Sequence, residues 1–317
     1  MASTLIITHS DMDGVASAAL YVYLEKLSEY RVYFTEPYSL HETLERNLNE
    51  GFERIAIMDI GVNPLIFNRV VKLLGDYVRR GGRVYWFDHH VWSEEWIQKV
   101  KELGVSLYLD KSTCATGVVY KYSNHENSFE DEVFTSNLVN GVCGGDLWRF
   151  DHWLSPFYIR LVRRGDSIEW KMKVLSTLSR GLYWDDSFND KIIKAVEAEL
   201  NALREDLVKV SRNINGITVY ISTSRDDVEN SFLASYLMSR FNADVVVIAS
   251  PDGKLSFRSR GVNVRDIAVA LGGGGHPAAS GAKIQVPLRV RLFSRIHEKT
   301  LLEYVADKIA EHASLLK

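Results

Sequence analysis

The sequence contains very little cysteine. Its 317 residues include two cysteines, Cys114 and Cys143, which lie far apart and in no CxxC pattern. This usage excludes a disulfide framework of the small secreted kind and a thiolate metal site. We therefore predict that both cysteines are buried free thiols.

Long apolar runs and strong net charge are also missing. No stretch approaches the roughly 18 apolar residues of a membrane span, and MASTLIITHSD has no basic segment before an apolar core, so we expect a cytoplasmic protein without a membrane partner. A formal net charge of -3 does not fit a nonspecific DNA coater. Basic residues are nevertheless concentrated in residues 251–300, which hold nine Lys or Arg against three Asp or Glu.

Strand and helix patterns alternate along the first half of the chain. The apolar runs TLIITH, RIAIMDI and RVYWFD are separated by longer helical patterns, which predicts a parallel sheet covered by helices. The predicted fold class is α/β, with a parallel-sheet domain over residues 1–187 and a smaller α/β domain over residues 215–317. A long amphipathic helix over residues 188–214 is expected to link them.

Ionisable side chains cluster where three of the predicted strands end. The segments HSDMDG, MDIG and FDHH contribute His9, Asp11, Asp13, Asp59, Asp88, His89 and His90. The carboxyl ends of parallel strands line one edge of a sheet, so we expect these side chains to meet. So many carboxylates at close range require protons or cations, and oxygen ligands with one or two imidazoles suit Mn²⁺. We therefore predict a site for two divalent ions, with Mn²⁺ favoured and Mg²⁺ or Co²⁺ as alternatives.

The three segments resemble the motifs of the DHH phosphoesterase superfamily. That superfamily includes RecJ exonucleases, nano-RNases, cyclic-dinucleotide phosphodiesterases and family II pyrophosphatases. The resemblance implies one metal bound by His9, Asp11 and Asp59. It implies a second metal on Asp13, Asp59, His89 and a later aspartate, with Asp59 as the bridge.

The resemblance also assigns roles to the remaining residues of this set. It implies that Asp88 orients a ligand from close behind, and that His90 faces the substrate phosphate. The segment LVNGVCGGDLWRFD resembles the fourth motif of the family and offers two candidates for the later aspartate. We favour Asp146, which directly follows the apolar run, and keep Asp151 as the alternative.

A run of four glycines lies near the end of the chain. ALGGGGHPAASG lacks the GK[ST] ending of a nucleoside-triphosphate P-loop, and alone it is typical of a flexible loop. Together with the preceding LSFRSRGVNVRDIAVA, however, it resembles the substrate-binding half of a DHHA1 domain. The resemblance implies substrate contacts from Arg258, Ser259, Gly274, Gly275 and His276.

The expected function is metal-assisted phosphodiester hydrolysis in which the ions, rather than a protein base, activate water. The modest net charge disfavours a long polyanion track, so we expect short single-stranded RNA or DNA, cut stepwise from one end. A cyclic dinucleotide or 3′-phosphoadenosine 5′-phosphate is the alternative substrate. A non-catalytic nucleic-acid-binding factor is the alternative of another class, and the resemblance allows a homo-oligomer.

Overall fold

The computed structural model describes residues 3–123, 131–204, 207–225 and 228–316. The chain forms two compact units, Met1–Ile192 and Ile193–Lys317. Among the described residues, no helix combines the length and the apolar character needed to cross a membrane.

The first unit is built on a parallel sheet of five strands in the order β2-β1-β3-β4-β5. The strands are β1 Thr4–Thr8, β2 Tyr30–Phe34, β3 Arg54–Met58, β4 Arg83–Asp88 and β5 Ser106–Leu109. The predicted parallel-sheet α/β domain is confirmed. The interior strand β1 is buried along its whole length, so its sequence TLIIT is a continuous run rather than an alternating one.

Helices of the first unit follow and connect these strands. They are α1 Met12–Leu24, α2 Leu40–Asn47, α3 Phe67–Arg79, α4 Glu94–Glu102, α5 Ala115–Tyr122, α6 Glu132–Asp146, α7 Ser155–Leu161, α8 Ile168–Leu178 and the start of α9 Asn189–Arg204. One core fills the space between the sheet and helices α2, α3 and α4; it includes Ile55, Trp86, Leu44 and Leu74. Helix α1 is buried on nearly all sides, which explains why VASAAL is apolar around the whole turn.

The second unit contains a mixed sheet in the order β10-β11-β9-β8-β7-β6. Its strands are β6 Lys209–Ile214, β7 Ile217–Thr223, β8 Val245–Ala249, β9 Lys254–Ser259, β10 Gly274–His276 and β11 Ala279–Lys283, and its further helices are α10 Asn230–Phe241, α11 Arg265–Ala270, α12 Leu288–Phe293 and α13 Lys299–Ala310. Strands β7 and β8 are parallel, and the other neighbouring strands are antiparallel. The smaller α/β domain predicted from the sequence is thereby confirmed.

The predicted linker helix is shorter than expected. Helix α9 ends at Arg204, and residues 209–214 form β6 instead of the last turns of a helix. The backbone of β6 pairs with β7 in an antiparallel ladder, and Val210 and Ile214 are buried in the core of the second unit. Sheet pairing therefore overrides the helical periodicity of this segment. The division between the two compact units falls within α9, between Ile192 and Ile193.

The glycine run is part of the sheet. Gly274 and Gly275 lie in β10, which pairs with β11. Gly275 has a φ of 131°, and a Cβ there would lie 2.7 Å from the carbonyl oxygen of Ala279. Glycine is therefore needed here for close strand packing rather than for flexibility.

The two cysteines are bonded to each other, so the prediction of free thiols is wrong. Cys114 immediately precedes α5 and Cys143 lies in α6, and their Cα atoms are 5.0 Å apart. Both residues are buried. A separation of 29 residues with no CxxC spacing gives no sequence signal for the pair. The packing of α5 against α6 brings the two sulfurs together.

Candidate metal centre

The predicted metal-binding residues are brought together at the carboxyl ends of the strands in the first unit. His9 follows β1, Asp59 follows β3, and His89 follows β4. Helix α1 begins immediately after Asp11 and carries Asp13 in its first turn, while Asp146 is the last residue of α6. Three neighbouring strands and two helix ends thus deliver imidazole and carboxylate groups to one place.

One group of side chains is formed by His9, Asp11 and Asp59. Nδ1 of His9 lies 2.8 Å from Oδ2 of Asp11 and 3.4 Å from Oδ2 of Asp59. On the other side of the ring, Nε2 lies 3.1 Å from Oε2 of Glu36. A carboxylate that accepts the Nε2–H proton fixes the tautomer of the imidazole and leaves Nδ1 facing the two aspartates. The three groups can hold a metal ion.

A second group surrounds His89. Its Nε2 lies 3.8 Å from Oδ2 of Asp13, 3.7 Å from Oδ2 of Asp146 and 3.5 Å from Oδ1 of Asp59. His89 and Asp13 are buried, and the three side chains of Asp13, His89 and Asp146 can also hold an ion. The two oxygens of Asp59 therefore face two different imidazoles, His9 and His89.

The carboxylate of Asp13 is fixed by the N-terminus of α5. The backbone N–H groups of Ala115 and Thr116 each donate to it at 2.8 Å, and the Thr116 hydroxyl donates to Oδ1 at 2.6 Å. The first turn of a helix has unpaired N–H groups and a positive partial charge, so it suits a carboxylate. No local sequence signal indicates this contact, because Asp13 and the start of α5 lie about a hundred residues apart in the chain.

Asp88 orients His90 and Trp92. Nδ1 of His90 lies 2.7 Å from Oδ1 of Asp88, and the indole N–H of Trp92 donates to Oδ2 at 2.6 Å. Burial opposes the charged imidazole, but the Asp88 carboxylate outweighs that effect and raises the pKa of His90 to about 9. His90 is therefore cationic at neutral pH, with 38 % of its side chain exposed. Such a group is suited to an anionic ligand.

The electrostatics of the cluster fit divalent cations. Burial, together with the carboxylates of Asp59 and Asp146, raises the pKa of Asp13 well above its ordinary value. Desolvation and the carboxylate of Asp59 outweigh the lowering effect of His89 and raise the pKa of Asp146 to about 6. Crowded carboxylates of this kind gain protons unless a cation compensates their charge. Carboxylate oxygens with imidazole nitrogens are ligands that Mn²⁺ accepts readily, whereas softer ions prefer thiolates.

The two candidates for the later aspartate have different surroundings. Asp146 lies beside His89, as described above. Asp151 is half-exposed and forms an ion pair with Arg149, at 3.0 Å. Among the described residues, the groups able to hold a metal include Asp146 and do not include Asp151.

Two backbone positions explain the local motifs. A Cβ on Gly14 would lie 2.3 Å from the carbonyl oxygen of His9, so only glycine lets α1 begin directly behind the HSDMD segment. Asp59 has a φ of 55°, a left-handed conformation that is uncommon outside glycine but that aspartate and asparagine adopt more readily than other residues. Buried residues with such backbone angles cluster at functional sites.

Three residues that lie around this centre were not predicted from the sequence. Glu36 follows β2 and contacts His9 and Ser10, and its only sequence signal was an acidic residue at a strand end. Thr116 carried no such signal. Arg164 lies in the connection between α7 and α8, within 3.9 Å of Asp11 and Glu36. Nothing in the local pattern RLVRRGDSIEW indicates that approach.

The substrate-binding residues predicted in the second unit lie at one end of its sheet. Arg258 and Ser259 end β9, which pairs with β11, and β11 pairs with the glycine-rich β10. The guanidinium of Arg258 donates to the Ser231 hydroxyl, and the hydroxyl of Ser259 donates to a carbonyl oxygen within its own turn. His276, at the end of β10, is exposed.

Two family models match the sequence. The model described as "DHH family, N-terminal domain" matches residues 3–145, and the model of the DHHA1 domain matches residues 204–303. The first match contains all but one of the six predicted metal ligands, and the second contains the glycine run. No curated protein sequence is significantly similar to the chain.

Several solved structures share the fold at low sequence identity. An exopolyphosphatase-related protein from Bacteroides fragilis is 16 % identical, with 96 % of this chain and 93 % of that chain covered and a TM-score of 0.55. A pGpG-specific phosphodiesterase from Vibrio cholerae is 13 % identical over 94 % of this chain and 98 % of that chain, with a TM-score of 0.53. RecJ from Thermus thermophilus in complex with Mn²⁺ is 14 % identical over 96 % of this chain and 52 % of that chain, with a TM-score of 0.60.

Proposed function

Because this chain belongs to the DHH family of phosphoesterases and carries a DHHA1 domain, we propose that it is a metal-dependent phosphodiesterase that shortens small single-stranded oligonucleotides stepwise. The observation that carries the proposal is the position of Asp59. Its two carboxylate oxygens face His9 and His89, so one residue joins both groups of metal-binding side chains. Two ions that share a carboxylate are a common device of phosphoryl-transfer enzymes.

In this proposal, His9, Asp11 and Asp59 hold one ion, and Asp13, Asp59, His89 and Asp146 hold the other. When bound, the ions supply Lewis acidity that activates water and neutralises charge on the phosphate. Mn²⁺ is the favoured ion, and the RecJ structure with Mn²⁺ supports that choice. Glu36 and Thr116 keep His9 and Asp13 in their orientations by hydrogen bonds.

The protein itself contributes positive charge at the reacting phosphate. His90 is held by Asp88 and is cationic at neutral pH, so we propose that it donates a hydrogen bond to a phosphate oxygen. Asp88 then acts as a positioning residue for His90. In the second unit, Arg258 and the β10 segment that ends at His276 are proposed to contribute to substrate binding, as the resemblance to a DHHA1 domain implies.

Short substrates are favoured by one of the structural neighbours and by the charge of the chain. The pGpG-specific phosphodiesterase acts on a dinucleotide, and its fold is shared with this chain over 98 % of its length. The modest net charge of -3 also provides little of the electrostatic attraction that long strands require.

A substrate panel tests the proposal. The full chain is incubated with Mn²⁺ or with EDTA and labelled RNA and DNA of increasing length, from dinucleotides upward, together with a cyclic dinucleotide and 3′-phosphoadenosine 5′-phosphate. We expect mononucleotides to be released one at a time from the short strands, in Mn²⁺ and not in EDTA. Cleavage confined to the cyclic dinucleotide or to 3′-phosphoadenosine 5′-phosphate would replace the proposed substrate with that compound.

A binding factor is the alternative of another class, and the same panel distinguishes it. Such a factor retains affinity for the labelled strands but releases no nucleotide from any of them. The binding of such a factor to the labelled strands also does not require two bound ions.

A further inference from the structure

Arg164 lies at the rim of the candidate metal centre. Its Nη2 is 3.9 Å from Oδ2 of Asp11, and its Nη1 is 3.9 Å from Oε2 of Glu36. These separations are too long for direct hydrogen bonds. The side chain is 67 % exposed, so the guanidinium faces both the acidic centre and solvent.

The backbone that carries Arg164 is held in place from several sides. Lys171 is 4 % exposed, and its Nζ donates to the carbonyl oxygen of Arg164 at 2.8 Å. Asp166 accepts from the N–H of Arg163 at 2.8 Å and forms an ion pair with Lys191. The indole N–H of Trp170 donates to the carbonyl oxygen of Leu161 at 2.7 Å. These contacts fix the backbone position from which the exposed Arg164 side chain extends.

Lys171 shows that the arrangement is costly. Burial of an ammonium group requires compensation, which comes here from the carbonyl oxygen of Arg164 and from the nearby carboxylates of Asp166, Glu36 and Asp11. The Phe34 ring lies 5.9 Å from the same Nζ. The buried lysine therefore helps to fix the backbone at Arg164.

We infer that Arg164 binds a phosphate oxygen of the substrate beside the ion held by His9, Asp11 and Asp59. This inference rests on the proposed function and names a residue that positions its substrate. An ion held by Asp11 would compensate the negative charge of that carboxylate. The guanidinium of Arg164 would then be available to bind an anionic ligand. Guanidinium matches the geometry of phosphate with two parallel hydrogen bonds.

Kinetics of Arg164→Ala on a short labelled RNA test the inference. A hydrogen bond to a charged group corresponds to roughly a ten- to hundredfold effect, so we expect kcat/KM to fall by that factor, mainly through a higher KM. Arg164→Lys should restore part of the loss, and free guanidinium ion should partly rescue Arg164→Ala. Arg79→Ala is the matched control, because Arg79 is 71 % exposed, pairs with an aspartate and lies at the opposite edge of the sheet, just before β4.

Mn²⁺ binding to the same variants, measured by calorimetry, separates substrate binding from structural support. Removal of a positive charge beside Asp11 should leave Mn²⁺ affinity unchanged or higher. Weaker Mn²⁺ binding in Arg164→Ala would mean that the arginine supports the metal site, and this would overturn the inference. Unchanged kinetics in Arg164→Ala would also overturn it while leaving the proposed function intact. If the wild-type protein hydrolyses no strand at all, the proposed function fails, and the inference fails with it.

Discussion

At the scale of single residues, the proposed two-ion centre depends most on Asp59. It is buried, 3 % exposed, and adopts a left-handed backbone conformation at the end of β3. Its oxygens lie 3.4 Å from the imidazole of His9 and 3.5 Å from that of His89. A buried carboxylate between two histidines is well placed to bridge two cations.

Asp59→Asn tests this role directly. Asparagine also tolerates the left-handed conformation, so the backbone should be preserved while one charged oxygen is lost. We expect hydrolysis of a short RNA to fall by roughly a thousandfold, because the metals supply several kcal/mol of transition-state stabilisation. Bound Mn²⁺, counted by calorimetry, should fall from two ions per chain to at most one.

Asp76→Asn is the control for that substitution. Asp76 lies on α3 and pairs with Arg79, away from the strand ends. A surface change of this kind should alter the rate by no more than about twofold. Near-normal activity in Asp59→Asn would contradict the bridging role.

At the scale of helices and strands, two helices complete the centre, and a disulfide joins them. Cys114 precedes the α5 turn whose N–H groups bind Asp13, and Cys143 lies three positions before Asp146 in α6. The bond therefore lies between the segments that position two of the proposed ligands. It constrains the unfolded chain as well.

The double variant Cys114→Ala with Cys143→Ala measures that contribution. Closure of a loop of this length corresponds to roughly 3.5 kcal/mol, so we expect the free energy of unfolding in urea to fall by about that amount. A dithiol reductant should destabilise the wild-type chain to a similar extent and leave the variant unchanged. A stability insensitive to both treatments would show that the bond does not constrain the fold.

Local sequence patterns predicted the strands that end at a motif. They did not predict the features that depend on contacts between segments distant in sequence. The strand ends of TLIITH and RVYWFD were evident because buried parallel strands are continuous apolar runs. Strand β6 was mistaken for helix, because residues 209–214 have no alternation strong enough to oppose the preceding helical period. The Cys114–Cys143 bond and the contact of Arg164 with Asp11 both join segments distant in sequence, and no local signal records such contacts.

At the scale of the whole molecule, the two units carry different charges and different proposed tasks. The proposed acidic ligands all lie in the first unit, while the charged residues of segment 251–300 in the second are mostly basic, nine Lys or Arg against three Asp or Glu. We expect the first unit to supply the metals and the second to supply affinity for the substrate. Substitutions in the second unit should therefore change substrate binding without changing metal binding.

Arg258→Ala tests this division of roles. Loss of a guanidinium that binds the substrate should raise KM by roughly tenfold or more, with Mn²⁺ affinity unchanged. Lys254→Ala is the control, because Lys254 lies at the opposite end of β9, is 68 % exposed and pairs with Asp252. An unchanged KM in Arg258→Ala, or an equal rise in both variants, would contradict the role of Arg258.

The central claim is that one centre in the first unit holds two ions and uses both for hydrolysis. The most direct measurement is a Mn²⁺ titration of the metal-free chain, in which bound ions and the release of mononucleotide from a short labelled RNA are recorded on the same samples. The account predicts that activity rises with the second bound ion and is abolished by EDTA. Full activity with one ion, or hydrolysis that persists in EDTA, would contradict it.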